Sequence, residues 1–249
     1  MKMTEQLRDA LEYAVELREG QKVVYEQDQK VFYDTTKARL TELDPIKRAE
    51  TLTVNSLSGL VGYLKSNIRT LESDTKLLVH VESPTKVVVY SSLDTDRKRE
   101  SVIQTNALLD VFPYGRFMNS EDFIINVQSL IQRDLDAEAI LACASSIRIE
   151  GGGDLVDNGI SQTVTVKEGA ATLIKAEVPS PAELRPYRTF LEVEQPSSPF
   201  VFRIDKIGNC ALFEADGGIW KHTAMENIHE FLNSELDELL KEEVVTIIA

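Results

Sequence analysis

Apolar residues along this chain recur with two periods, one close to a helical turn and one of two residues. Helical spacing appears first in Leu7, Leu11, Ala14, Val15 and Leu17, a broken stripe over residues 4–19 that Thr4 can cap and Gly20 can end. It returns in Leu57, Leu60, Val61 and Leu64 behind a cap at Asn55 or Ser56. Gly59 and Gly62 in that helix each cost roughly 1 kcal/mol against Ala, so close approach of another backbone is expected there. Phe123, Ile124, Val127, Leu130 and Ile131 form the cleanest stripe, opened by Asn119 or Ser120 with Glu121 and Asp122 in the first turn, where a helix dipole favours acid. Ala137, Ile140, Leu141 and Ala144 predict a helix over 135–149. Ile228, Phe231, Leu232, Leu236 and Leu239 predict a long acidic one over 219–240.

The strand-like runs lie between these helices. KVVYEQ and KVFYDT, over about 22–34, read as a short hairpin, and 37–50, charge-rich with Asp44-Pro45, reads as an exposed connection or a short, weak helix. Residues 51–54 start a strand. Residues 77–81 and 86–90 make a hairpin across Glu82-Ser83-Pro84-Thr85, and 161–166 pairs with 173–178 across Glu168-Gly169. The densest signal is 179–218. There, 187–193 and 200–204 read as strands joined by a proline-pinned turn, and 210–214 follows across Ile207-Gly208-Asn209.

This pattern predicts an α+β chain of N-terminal helices and β-hairpins followed by a mainly antiparallel β part packed by a C-terminal helix. Three segments are expected: 1–50 with a helix and exposed hairpin, 51–150 with helices and a hairpin, and 151–249 with the β part and terminal helix. Gly151-Gly152-Gly153 is the junction between the last two. The core of the β part is expected from Tyr187, Phe190, Phe200, Phe202, Ile204, Leu212 and Phe213, leaving Thr189, Val201 and Arg203 on the opposite face. Val193 and Val201 make that face partly apolar, so both faces should be covered.

Composition narrows the function classes. The 249 residues include 27 Lys and Arg against 41 Asp and Glu, a formal net charge of -14, with 43% hydrophobic residues. That balance suits a folded globular protein and works against general nucleic-acid binding, which needs clustered cations. Cys143 and Cys210 lie far apart among apolar neighbours, so buried free thiols in a reducing, cytoplasmic setting are expected. The start of the chain is charged through its periodic stretch, unlike a signal peptide, and no run is apolar for long enough to cross a bilayer.

Candidate chemistry is sparse. The triple glycine is followed by Asp154-Leu155-Val156-Asp157 rather than the Lys-Ser/Thr of a phosphate loop. His80 sits alone in a β run. His222, Glu226 and His229 share one helix face, a spacing that suits a salt-bridged surface better than a metal site with ligands one turn apart. No nucleophile elbow, metalloprotease motif or Cys-His pairing occurs, so no catalytic residue, metal or cofactor is assigned. Arg97, Lys98 and Arg99 form a small basic loop able to touch phosphate, and Arg185, Arg188 and Arg203 could extend it. At the other end VVTII is uncharged and rich in β-branched residues, with Lys241-Glu242-Glu243 as its guard. Burying Val244, Val245, Ile247 and Ile248 would contribute on the order of 6 kcal/mol. The tail is expected to be ordered at or near a subunit interface, with Phe231 beside it.

A TLTV-type strand before a capped helix, a hairpin ending in KVVVYSS, the NSEDF helix opening and PYRTFLEVEQPSSPFVFRI together resemble the YfdQ family of phage and prophage proteins of unknown function. The resemblance spans about residues 50–236. It implies a phage origin among accessory genes near recombination and replication functions, and supplies no activity or site residues. Three readings follow: a self-associating structural or interaction protein, an acidic inhibitor or DNA-mimicking decoy of a host defence protein, and an accessory factor in phage DNA recombination or replication.

Overall fold

The computed structural model describes residues 50–67, 76–94, 97–146 and 180–249, together with the backbone of six strands outside those ranges. The expected helix over 4–19 and the Gly151–Gly153 junction lie outside the described residues. Contacts divide the chain into two units, Met1–Ala49 and Glu50–Ala249. The first contains an antiparallel sheet of β1 (Val24–Gln27), β2 (Lys30–Asp34) and β3 (Leu40–Glu42) in that order. The expected hairpin is there, and β3 lies in the stretch read as a connection or helix.

The second unit is α+β, as the pattern predicts. Its largest sheet has five strands in the order β14-β5-β6-β7-β4. They are β4 (Leu52–Val54), β5 (Leu77–Ser83), β6 (Lys86–Tyr90), β7 (Ser101–Asn106) and β14 (Val245–Ile248). The three central strands are antiparallel, whereas the edge strands β4 and β14 run parallel to β7 and β5. The sequence pattern predicts no strand at β7, because the charges of 94–100 mask its short alternation. A second antiparallel sheet joins β11 (Ala182–Leu184), β12 (Ser198–Ile204) and β13 (Cys210–Glu214). Between these in sequence, β8 (Val156–Asp157), β9 (Gln162–Glu168) and β10 (Thr172–Glu177) form a third, containing the expected hairpin.

Local chemistry accounts for the helix starts. In α1 (Leu57–Asn67) the Ser56 hydroxyl accepts a hydrogen bond from the Gly59 amide at 3.1 Å. A Cβ on Gly59 would lie 2.9 Å from that hydroxyl, so glycine makes room for the cap. Gly62 faces open space, and the expected backbone approach does not occur there. In α2 (Ser120–Leu130) Asn119 Oδ1 accepts from the Asp122 amide at 2.8 Å. Asp134 caps α3 (Leu135–Ser146) through the Ala137 amide at 2.9 Å. The terminal acidic stretch is broken at Leu236 into α4 (Trp220–Glu235) and α5 (Asp237–Lys241).

Two cores result, and the chain crosses between them. One places Phe123, Val127, Ile131, Ala137, Ile140 and Ala144 of the α2–α3 region against Leu184, Phe200, Phe202, Ile204 and Leu212. Phe123 stacks on Phe202 at 5.2 Å between ring centres. The other places Leu57, Leu60 and Leu64 of α1 and Ile228 and Leu232 of α4, with Leu236, on the inner face of the five-stranded sheet, Leu77, Val79, Val81, Val87, Val89 and Ile103. The helices of 120–146 therefore cover the later sheet, and the terminal helix lays its apolar face on the earlier one. Phe200, Phe202, Ile204 and Leu212 are core as expected. Phe213 lies opposite Val201 on the other face, because adjacent strand residues cannot share one.

The expected strand 187–193 is instead a looped segment. Gln195, 1% exposed, takes up the hydrogen bonds a neighbouring strand would have supplied. Its Oε1 accepts from the amides of Arg188 at 2.9 Å and Thr189 at 3.2 Å. Its Nε2 donates to the carbonyls of Phe190 at 3.0 Å, Val193 at 3.3 Å and Thr189 at 3.5 Å. One amide side chain thus serves two backbone amides through its oxygen and shares its two N–H groups among the carbonyls around it, which removes the need for strand pairing. Phe190 and Val193 of this loop enter the five-stranded core.

Candidate functional site

Residues 215–249 form a continuous segment whose parts can be followed from the turn that launches it. Asp216 accepts from the amides of Gly218 at 2.9 Å and Trp220 at 3.1 Å, while Gly217 and Gly218 take φ of 62° and 88°, values that favour glycine. Partial burial alone would raise the Asp216 carboxyl, but those amides and the nearby Arg188 hold it below its usual range. The first side chain of α4, Trp220, lies over the Arg188 guanidinium at 4.2 Å. Arg188 is almost fully buried, with Phe200 on another side at 5.4 Å. It donates to Glu214 at 3.2 Å, to the Pro196 carbonyl and to the Ser198 hydroxyl. Burial lowers its pKa, against the opposing pull of Tyr114, Glu214 and Asp216. The stacking at Trp220 is a cation–π contact that joins the loop, the second sheet and the terminal helix.

Further along, the Asn227 side-chain amide donates to the Glu194 carbonyl at 2.8 Å, and Lys65 of α1 meets Glu235 at 3.0 Å. The segment then turns through α5 into β14. There the Leu77 amide donates to the Val244 carbonyl at 2.8 Å, and Lys76 faces Glu243 at 3.6 Å. The expected interface residues are thus placed by the chain's own sheet. Val245 is buried, Val244, Ile247 and Phe231 are half-buried, and Ile248 remains 43% exposed. Because one of the four tail side chains is fully covered, their burial contributes about 3 kcal/mol rather than 6. Among the described residues β14 is paired on one side, with no charge or proline along its own residues.

Beside this edge lies a groove of about 520 Å³ lined by Glu226, His229, Glu230, Ile247, Ile248 and Ala249. It brings the helix face noted in the sequence next to the apolar tail. His222 Nδ1 lies 3.7 Å from Glu226, and His229 pairs with Asn233 at 2.9 Å. Among the described residues no group of three or more His, Cys, Asp or Glu side chains is placed to hold a metal. His80 sits half-buried on the outer face of β5, opposite Ile248.

The basic residues are dispersed. Arg97, Lys98 and Arg99 are exposed on the β6–β7 connection, which is closed by the Asp94 carboxylate accepting from the Lys98 amide at 2.8 Å. Arg99 donates to the Ser91 carbonyl at 2.9 Å. Arg185 pairs with Glu194 at 2.9 Å and Arg203 donates to Ser180 at 3.1 Å, so these two and Arg188 are engaged within the fold. A smaller cleft of about 400 Å³ beside Arg185 carries Arg133, Asp134, Asp136 and Glu183, and Asp136 already accepts from the Glu183 amide at 2.7 Å. Both cysteines are free and buried, and burial pushes the Cys210 thiol up to about 12. Among the described residues no helix is long and apolar enough to cross a membrane.

No protein-family model, curated protein or solved structure matches this chain.

Proposed function

We propose that this chain is a phage-encoded, non-enzymatic accessory protein that acts in the cytoplasm of the host cell by binding other protein chains, first of all copies of itself, through residues 219–249. One observation carries the reading: β14 is an uncharged edge strand, paired on one side, with half-exposed apolar side chains beside an open groove. Edge strands of monomeric proteins are usually guarded by charge, proline or a covering element, and such an edge can template pairing with another chain. The resemblance of several short sequence strings to the YfdQ family supports the phage setting.

A second reading has its own support in the exposed Glu226 and Glu230 of the groove wall and the net charge of -14, which favour a basic host protein as partner. Removing the residues after Glu243 tests the first reading. The self-association reading expects a lower oligomer mass by light scattering and a lower melting temperature. An unchanged mass and melting temperature would remove the tail from the account, and salt-sensitive capture of a basic host protein by the full chain alone would favour the second reading.

A further inference from the structure

We propose that copies of this chain associate by exchanging residues 219–249, each donating its α4–α5–β14 segment to the α1 and β5 surface of the other. The proposal rests on the self-association reading and supplies its geometry. The surface that would receive the segment is already defined, because it holds the chain's own copy. Ile228, Leu232, Leu236 and Val245 fill the core between α1 and the five-stranded sheet, Lys65 meets Glu235, Lys76 meets Glu243, and Asn227 meets the Glu194 carbonyl. Each contact joins the segment to the rest of the unit, so a second copy can supply either side of it unchanged.

Three further features suit exchange. As an edge strand, β14 leaves the sheet without separating any other pair of strands. The segment also has contacts of its own that hold it together: Lys241 to Asp237 at 2.5 Å, the Val244 amide to the Leu239 carbonyl at 3.1 Å, and the Leu236 and Leu240 amides to the carbonyls one turn earlier. Finally, it is launched by a turn rather than a packed connection. Gly217 has open space around the position of a Cβ, and Gly218 meets only the flexible end of Lys221. In extended form residues 215–219 reach about 16 Å at about 3.3 Å each. The closed chain and the exchanged dimer then share their contacts and differ at this hinge, which is why exchange is a low-cost route to a dimer. Arg188 beneath Trp220 is the contact nearest the hinge and secures the segment in either arrangement.

The test uses the full chain. Unlabelled and ¹⁵N-labelled protein are unfolded together and refolded as a mixture, the dimer is isolated, and a zero-length carbodiimide joins Lys65 to Glu235, which lie 3.0 Å apart and are both half-exposed. Exchange places that pair on different chains, so about half of the Lys65–Glu235 products should join a labelled to an unlabelled peptide, as random pairing of exchanged chains requires. Products drawn always from one chain would overturn exchange while leaving self-association in place. A monomer at every concentration would overturn both. A second measurement uses Gly217→Ala combined with Gly218→Ala. The positive φ of the closed turn opposes Ala whereas an extended hinge accepts it, so the dimer fraction should rise several-fold. An unchanged or lower fraction would count against exchange.

Discussion

Gln195 shows how one side chain can decide local structure. It accepts from two backbone amides of the 188–193 loop and donates to carbonyls of the same loop from a position 1% exposed, and removing it would leave at least two buried amides without acceptors. Gln195→Leu should therefore destabilise the protein by about 3 kcal/mol or more, since each buried unsatisfied group costs about 1–3 kcal/mol. Urea unfolding checks this, and a loss under about 1 kcal/mol would show that the loop finds other partners. Buried acids of high pKa give a second residue-scale expectation. Burial raises the Tyr114 hydroxyl and the Cys143 thiol, and Cys210 to about 12, so the folded chain keeps protons that the unfolded chain releases in the ordinary thiol and phenol ranges. Stability should then fall as pH rises from about 8.5 toward 12, and the urea midpoint should drop between pH 7 and pH 10. A flat profile over that interval would contradict it. Caps such as Ser56 and Asn119 were legible in the sequence because they act on their own neighbours three residues away. The role of Gln195 was not, because a lone amide after an apolar run gives no sign that the chain will fold around it.

At the scale of elements, the hairpins of 77–90 and 200–214 and the helices at 57, 120 and 135 follow from periodicity and turn residues, since each is fixed by contacts close in sequence. The run 187–193 has the composition of a strand and becomes a loop, because composition reports burial and burial was achieved here through Phe190, Val193 and Gln195. Pairing partners of the edge strands were not legible either. The parallel placement of β14 on β5 joins residues 245 and 77, and no local pattern carries that information. The cap of α1 offers a clean test of a local element: Ser56→Ala should cost about 1 kcal/mol, read from the urea midpoint, with a neutral result meaning that water serves the Gly59 amide equally well.

For the whole molecule, the crossing of the chain between its two cores ties early and late residues together. The terminal helix closes the sheet built by 77–106, and the helices of 120–146 close the one built by 182–214, so neither core is complete without a distant stretch of sequence. The expected interface residues gather at one end of this arrangement, where the 219–249 segment ends in an open strand edge. A charge of -14 on each copy opposes association at low ionic strength, and screening by salt reduces that opposition while leaving the apolar contacts in place. The most direct test of self-association is the mass of the full chain by light scattering, followed from low micromolar upward at low and at moderate salt. The account predicts a mass that rises to that of a dimer or a larger closed assembly, at lower concentration when salt is added. A single-chain mass across the whole range at both salt levels would contradict it.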